Sequence, residues 1–326
     1  MTGKATAIAH PIQGIVKYHG MRDDELRLPY HESISVCTAP ARSKTTVAFE
    51  ATRNRDLFVV DDDRLVGRDA DRLRAVIDEV RRQAGTDARV RLESVNEVPT
   101  NVGFGSSSSG FAAAAMAAVA ATELELTKPE ISTIARRGSA SAARAVTGGF
   151  SSLSPGLNDR DCRSVRLTTD LDDPVRIVAA LVPTYKETGH AHAEAVESHM
   201  FDARLAHVHE QLATVRDGLR SGSFEQVFEV AEHDSLSLAA TTMTGPEGWV
   251  YWSPATIEIF EAVRELREEA GVPVYFSTDT GASVYVNTTR PHVAEVADAI
   301  DSLGVETRRW EIGGPARTVD PDRAVF

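Results

Sequence analysis

Four segments of the sequence concentrate side chains that could bind anions or move a proton. The first, Pro99–Gly110, reads PTNVGFGSSSSG and leads into an alanine-rich run. Glycines allow a tight turn, and the N–H groups at the start of a following helix can hold a phosphate. No Gly-Lys-Ser/Thr sequence follows, so the segment is not a Walker A loop. A flexible turn or a nucleophilic serine is the alternative.

Two further segments contribute an arginine and an aspartate. Ser141 and Arg144 are three positions apart and share one face of a predicted helix, where the guanidinium could hold a carboxylate or a phosphate. A surface ion pair is the alternative for Arg144. Asp279 lies between two predicted strands in an Asp-Thr-Gly sequence, which is often only a turn. An aspartic protease would need a second such aspartate, and the chain has one Asp-Thr-Gly.

The fourth segment, Ile15–Asp23, places Lys17 beside aromatic residues, either as a cation of a site or as a solvated side chain. The ten histidines show neither a His-Glu-x-x-His motif nor a Cys/His zinc pattern, so we expect no zinc site. Cys37 and Cys162 are far apart in the sequence and do not predict a disulfide framework.

The charge balance narrows the choice of partners. The formal net charge is -13, from 35 basic and 48 acidic residues, which argues against a sequence-independent nucleic-acid binder. Only five of the basic residues are lysines, and this arginine bias with an acid excess is typical of a salt-adapted cytoplasm or of a GC-rich genome. The N-terminus has no signal-peptide core, and the apolar run 111–121 is too short to cross a bilayer. We therefore predict a cytoplasmic protein that acts on small molecules.

Alternating and helical hydrophobic patterns predict the elements that must position these residues. They give an α+β chain with a predicted division near residue 180, into domains 1–180 and 181–326. Strands are expected at 33–38, 45–49, 89–98, 176–182, 272–276, 284–287 and 305–312. Helices are expected at 69–85, from 111, at 128–137 and 139–146, over much of 183–270, and at 291–303.

Together these segments resemble the GHMP kinase superfamily, and within it the mevalonate diphosphate decarboxylase family. Gly14–Asp23 is similar to the family's stretch around Lys-Tyr-Trp-Gly-Lys-Arg-Asp, and Leu28–Ser35 to its Leu-Pro-x-Asn-x-Ser-Leu-Ser. Pro99–Ser107 matches its phosphate loop, and Gly138–Arg144 its Gly-Ser-Gly-Ser-Ala-x-Arg. Thr278–Ser283 corresponds to its loop near the C-terminus. The order and spacing of these motifs over most of the chain make the resemblance specific.

The resemblance implies a GHMP kinase-like two-domain fold, with a ribosomal-S5-like N-terminal domain and a ferredoxin-like C-terminal domain around a central cleft. It also implies an ATP-dependent carboxy-lyase. In this reaction the 3-hydroxyl of a mevalonate phosphate is phosphorylated, and phosphate and CO₂ then leave to form an alkene. ATP with Mg²⁺ and a homodimer are expected on the same ground, with no protein ligand assigned to the metal.

The resemblance also assigns roles to individual residues. Asp279 would accept or orient the proton of the 3-hydroxyl, Arg144 would hold the substrate carboxylate, and Lys17 would offset charge at the transferring phosphoryl group. The residues expected to bind the ATP phosphates are Gly103, Gly105, Ser106, Ser107 and Ser108. Those expected around the substrate, besides Arg144, are Tyr18, Ser139 and Ser141. The family's Ser-Ser-Arg stretch is replaced here by Pro183–Glu187, and Lys186 is predicted as a replacement cation for the substrate phosphate.

One departure from the family pattern bears on the substrate. Met21 stands where the family has a lysine that contacts the terminal phosphate of the diphosphate. Loss of a charge-assisted contact of about 1.5–3 kcal/mol weakens diphosphate binding selectively. We therefore predict mevalonate 5-phosphate as substrate and isopentenyl phosphate as product, as in the archaeal, halophilic branch of the family. The alternatives are a diphosphate decarboxylase, a 3-hydroxyl kinase and a non-catalytic nucleotide-binding regulator.

Overall fold

The computed structural model describes residues 3–97, 104, 106–183 and 194–326. Within them lie eight α-helices: α1 (Gly67–Ala84), α2 (Ser106–Ala121), α3 (Lys128–Gly138), α4 (Ala140–Thr147), α5 (Phe201–Ser221), α6 (Phe224–Met243), α7 (Pro254–Glu269) and α8 (Val293–Asp301). The first eight strands are β1 (Lys4–Ala9), β2 (Ile12–Val16), β3 (Met21–Asp23), β4 (Leu28–Pro29), β5 (Ser33–Ala39), β6 (Arg42–Glu50), β7 (Leu57–Val60) and β8 (Asp63–Arg64). They are followed by β9 (Arg89–Glu97), β10 (Phe150–Leu153), β11 (Ser164–Arg166), β12 (Val175–Leu181), β13 (Val274–Ser277), β14 (Val284–Thr289), β15 (Glu306–Ile312) and β16 (Arg317–Val319).

The first sheet has six strands in the order β16-β1-β6-β9-β7-β8 and packs against α1, α2 and α3. The small side chains of α2 let this helix lie close to β1 and β6. A glycine allows a similar approach where α3 meets α2, because a Cβ on Gly138 would stand 2.3 Å from the Phe111 ring. The alanine-rich run thus sets the position of the helix that begins at the serine-rich loop.

The second sheet has eight strands. Seven follow the order β11-β10-β5-β15-β12-β14-β13, and β2 pairs with β5 beside them. Helices α5 to α8 cover it, with one apolar core around Phe228 and Tyr285 and another around Phe260 and Phe276. A separate two-stranded ribbon, β3–β4, lies between β2 and β5 in the chain and connects these two strands of the second sheet.

The mixture of helices and mainly antiparallel sheets confirms the predicted α+β class. Several predicted elements appear within about two residues of their expected bounds, among them α1, α3, α4 and β15. The second sheet takes β5, β10 and β11 from before residue 180 and β13 to β15 from after it, and the late strand β16 joins β1 in the first sheet. The domain division near residue 180 stays a prediction. Across the described ranges, none of the helices is long and apolar enough to cross a membrane.

Candidate active site

Asp279 and Lys17 converge over Gly14. Strand β2 carries Gly14, whose N–H donates to Oδ1 of Asp279 at 3.3 Å. A Cβ on Gly14 would stand 3.0 Å from that oxygen and 2.5 Å from Cγ of Lys17. Only glycine therefore lets the carboxylate and the lysine stem meet here, and two residues 262 positions apart in sequence become neighbours.

Asp279 is one of the residues that line a cleft. The loop between β13 and β14 carries it, and the other lining residues include Leu238, Thr242, Trp249 and Tyr251. The buried Tyr285 hydroxyl donates to the carbonyl of Ile12 at 3.4 Å and lies within electrostatic reach of the Asp279 carboxylate. Burial first, and then this carboxylate, raise the pKa of Tyr285 well above its ordinary value. Tyr285 therefore stays protonated beside Asp279.

Lys17 is held by a buried ionic network. Its Nζ donates to Oδ2 of Asp234 at 3.3 Å and to Oγ of Ser235 at 3.1 Å, and its backbone N–H donates to the same Oδ2 at 2.9 Å. Arg204 donates to Oδ1 of Asp234 at 2.8 Å and to the carbonyl of Lys17 at 2.7 Å. Asp234 is fully buried, and Lys17 and Arg204 are nearly so. Sequence analysis did not assign a role to Asp234 or Arg204. Both contact Lys17 from positions far along the chain, so no motif around either residue indicates the contact.

Arg144 is buried without a carboxylate partner among the described residues. Its Nη1 donates to Oγ of Ser33 and its Nη2 to Oγ of Ser141 at 3.5 Å, while its Nε has no hydrogen-bond partner there. Burial lowers the pKa of its guanidinium, and the charges of Tyr18 and Asp279 act in the opposite direction. A buried cation of this kind is costly unless an anion joins it. The site therefore fits a carboxylate or phosphate ligand at Arg144.

Ser35 is a further candidate that sequence analysis did not assign. It lies directly opposite Gly14 in the β2–β5 pair, so both positions face the same side of the sheet. Ser33, two residues earlier on β5, shares that face and accepts the hydrogen bond from Arg144. The Ser35 hydroxyl is buried and has no hydrogen-bond partner within the described part of the chain. It can therefore donate to a ligand held between Arg144 and Asp279.

The predicted substrate residues Tyr18, Ser139 and Ser141 come together at the start of α4. The Tyr18 hydroxyl lies 3.2 Å from Oγ of Ser141, and its ring lies 5.2 Å from the guanidinium carbon of Arg144. Ser139 precedes the helix, and its hydroxyl makes no capping hydrogen bond to it. Lys186 lies outside the described residues.

The serine-rich loop is described only from its helical end. Gly103, Gly105 and the side chain of Ser106 lie outside the described residues, but α2 begins at Ser106. Ser107 is exposed in the first turn. Ser108 is buried, and its hydroxyl accepts a 3.3 Å hydrogen bond from the N–H of Ile12, which joins the helix start to β2. Of Ser107, Ser108 and Ser109, whose side chains the structure describes, Ser107 faces solvent.

His31 lies within electrostatic reach of Arg204 and Asp234 in the Lys17 network. Its titration is expected to make the unfolding free energy of the protein depend on pH. Burial lowers its pKa to about 4, against the hydrogen bond that its Nδ1 makes with the Glu32 carbonyl. Arg204 lowers the pKa further, and Asp234 opposes this. The pKa of His31 is therefore about 6.5 in the unfolded chain and about 4 in the folded protein. The resulting stability is present above pH 6.5 and is lost as the pH falls towards 4.

We expect wild-type protein to lose about 2 kcal/mol of unfolding free energy from this group between pH 7.5 and 5. The variant His31→Asn should lack this part of the slope in urea denaturation at the two pH values. His207→Asn, at an exposed histidine, is the control and should keep the wild-type slope. An unchanged slope in His31→Asn would show that His31 does not titrate abnormally.

Across the described ranges, no three His, Cys, Asp or Glu side chains are grouped so that they could hold a metal ion.

The chain is similar to known proteins over nearly its full length. A family model described as the diphosphomevalonate decarboxylase-like N-terminal domain matches residues 9–164. A phosphomevalonate decarboxylase from Haloferax volcanii is 64% identical over 99% of this chain and 100% of its own. Mevalonate diphosphate decarboxylase from Staphylococcus aureus superposes with a TM-score of 0.93 at 26% identity, covering 98% of this chain and 99% of its own. A structure of MDDEF in complex with MVAPP, AMPPCP and magnesium superposes with a TM-score of 0.90 at 26% identity, covering 98% of this chain and 100% of its own.

Proposed function

Because the chain belongs to the diphosphomevalonate decarboxylase-like family, we propose that it decarboxylates mevalonate 5-phosphate to isopentenyl phosphate with consumption of ATP. The GHMP kinase-like fold expected from the sequence is confirmed by the match to the Staphylococcus aureus enzyme. The 64% identical Haloferax volcanii protein is itself a phosphomevalonate decarboxylase, which supports the predicted substrate and the halophilic character. The reaction belongs to isoprenoid biosynthesis by the mevalonate pathway.

The observation that carries the proposal is the meeting of Asp279 and Lys17 over Gly14, with the buried Arg144 within electrostatic reach of Asp279. The Arg144 guanidinium has no carboxylate paired to it among the described residues, and its Nε has no hydrogen-bond partner there. A hydroxy acid fits between these groups, with its carboxylate on Arg144 and its hydroxyl on Asp279. Ser35 would donate to the same ligand.

The chemistry divides among these groups. Asp279 accepts the proton of the substrate's 3-hydroxyl while the oxygen of that hydroxyl attacks the γ-phosphorus of ATP, and ADP leaves. Lys17 stabilises negative charge as this transfer proceeds. Arg144 then holds the carboxylate so that the bond to the carboxyl carbon aligns with the departing phosphate. The electron pair of that bond forms the alkene, the C–O bond to phosphate breaks, and CO₂ and phosphate are released.

The residues also fit ATP. The N-terminus of α2 and the exposed Ser107 provide N–H groups and a hydroxyl suited to phosphate oxygens, close to β2 through the Ser108 contact. When bound, ATP with Mg²⁺ supplies the phosphoryl group and neutralises charge on its phosphates. Gly103, Gly105, Ser106 and Ser108 remain proposed ligands of the ATP phosphates, and Lys186 remains a proposed ligand of the substrate. A cytoplasmic location and a homodimer belong to the same proposal.

The choice of the monophosphate rests on Met21 and is tested by comparing substrates. With ATP, wild-type protein should release ADP, phosphate and CO₂ faster from mevalonate 5-phosphate than from the diphosphate. The variant Met21→Lys should raise kcat/KM for the diphosphate relative to the monophosphate about 10-fold, because it adds one charge-assisted contact. Met200→Lys, at an exposed methionine, should leave the ratio unchanged.

Faster turnover of the diphosphate by wild-type protein would instead assign the chain to the diphosphate decarboxylases. A stable 3-phosphorylated product without CO₂ would indicate a kinase. Absence of turnover with either substrate, together with ATP binding, would indicate a nucleotide-binding regulator.

A further inference from the structure

An arginine lies in the short ribbon β3–β4 in a backbone conformation that arginine rarely adopts. Arg27 immediately precedes β4 and has a φ of 53°, in the left-handed region that favours glycine or asparagine. Its side chain is half-buried, and its Nε donates to the carbonyl of Arg137 at 3.1 Å. The fold thus holds an arginine at a position where its backbone is unfavourable, which points to a use for its side chain.

A second arginine reaches the same place from α1. Nε of Arg72 donates at 2.9 Å to the carbonyl of Gly138, the residue next to Arg137. Two guanidinium groups are therefore anchored to successive carbonyls at the end of α3, directly before Ser139. Nη1 of Arg72 also pairs with Asp69 at 3.9 Å, and its guanidinium carbon lies 4.7 Å from the centre of the Phe111 ring. The anchor takes only the Nε of Arg27, so Arg27 is the arginine that can present its Nη groups as a fork to a ligand.

The two arginines repel each other. Burial lowers the pKa of Arg72 to about 10, and the charges of Arg27 and Arg68 contribute to this. Burial likewise lowers the pKa of Arg27, and Arg68 adds to the effect. The carboxylates that oppose these charges, Asp24 and Asp69, are both exposed. The cluster carries more positive than negative charge, so a bound anion would stabilise it.

The cluster lies beside the predicted substrate residues. The Tyr18 phenol interacts electrostatically with both Arg27 and Arg72, and its hydroxyl lies 3.2 Å from Oγ of Ser141. On the other strand of the ribbon, Met21 pairs with Pro29, the last residue of β4, and packs in the apolar cluster that includes Tyr18. Met21, where the family's lysine is missing, and Arg27, which supplies a positive charge, thus lie in the same two-stranded ribbon.

We propose that Arg27, assisted by Arg72, binds the phosphate monoester of the substrate beside Tyr18 and Ser141. The inference rests on the proposed function and names the residue that selects the phosphorylated substrate. A monoester carries about 1.5 to 2 negative charges at neutral pH, which two guanidinium groups match without a cation at Met21. Arg27 is a binding residue here and takes no part in bond breaking.

The test is the variant Arg27→Gln, assayed with mevalonate 5-phosphate and ATP at fixed ionic strength. KM for the phosphorylated substrate should rise about 10- to 100-fold, as expected for the loss of a charged contact. The kcat should change less than about threefold, and KM for ATP should stay unchanged. Arg27→Lys, which keeps the charge, should recover part of the loss.

Two further variants separate binding from folding. Arg27→Gly relieves the left-handed backbone and should be at least as stable as wild type, yet it should show the same rise in KM. Arg74→Gln, at an exposed arginine on α1 that pairs with Asp71, is the matched control and should keep the wild-type KM. Both proteins are compared by thermal unfolding before the assay.

The result that would overturn the inference is a KM for mevalonate 5-phosphate within twofold of wild type in both Arg27→Gln and Arg27→Gly. This outcome differs from failure of the proposed function, in which wild-type protein itself turns over neither phosphate. A rise in KM for ATP alone would also overturn the inference, because it would assign Arg27 to the nucleotide.

Discussion

Replacement of Asp279 by Asn is expected to lower kcat for decarboxylation by about 10²- to 10⁴-fold. Asparagine keeps the size of the side chain and an oxygen that can accept the N–H of Gly14, so the protein should remain folded. The amide cannot take the proton of the 3-hydroxyl, so phosphoryl transfer should slow before any CO₂ is lost. The measurement follows ADP and CO₂ together in the steady state, with unfolding monitored in parallel.

The control for this prediction is Asp87→Asn, at an exposed aspartate remote in sequence from the motifs. It should retain wild-type kcat. If Asp279→Asn turns over undiminished, the base lies elsewhere. If it releases ADP at the wild-type rate but no CO₂, Asp279 acts in the elimination rather than in the phosphorylation.

The sequence was most informative where a function depends on neighbours along the chain. Ser139, Ser141 and Arg144 were predicted on one short helix, and the structure brings them together with Tyr18. Helix α1 was predicted from the apolar spacing of Leu73, Val76, Ile77 and Val80, all of which are buried. Short-range periodicity determines such elements, so they can be predicted before any tertiary contact is known.

Partners that meet through the tertiary fold left no such signal. Arg204 approaches Lys17 across 187 residues, and strand β1 pairs with β16 although more than 300 residues separate them. The left-handed backbone of Arg27 could not be predicted either, because local preference favours glycine or asparagine there. Sequence patterns therefore miss polar residues whose role depends on contacts with residues far away along the chain.

Ser108 shows the same limit within a motif. The sequence predicts Ser106, Ser107 and Ser108 alike as phosphate ligands in a run of four serines, yet the serines of this run that the structure describes differ from one another. Ser107 is exposed, Ser108 accepts the N–H of Ile12, and Ser109 lies 2.7 Å from Oγ of Ser43. The geometry of the helix start separates a candidate ligand from residues that attach the helix to the sheet.

The second large effect is expected at Asp234, which holds Lys17. Asp234→Asn removes the carboxylate between Lys17 and Arg204 and leaves two buried cations with no other carboxylate paired to them in the described structure. Breaking a buried pair in this way costs about 3–5 kcal/mol of unfolding free energy. Lys17 would keep the Ser235 hydroxyl as an acceptor but lose the charged acceptor that holds its Nζ, so kcat should fall in addition to stability.

A matched control separates these two losses. Asp56 and Arg81 form another buried ion pair, in which Asp56 also accepts the N–H of Val90. Val90 lies on β9 of the first sheet, whereas Gly14 lies on β2 of the second. Asp56→Asn should therefore lower the unfolding free energy in urea but keep wild-type kcat in the folded fraction. In a double-mutant cycle, Asp234→Asn with Arg204→Gln should be less destabilised than the sum of the single variants, because the second change removes one unpaired charge. If Asp234→Asn loses stability but keeps its kcat, the network serves the fold alone, and the position of Lys17 does not depend on it.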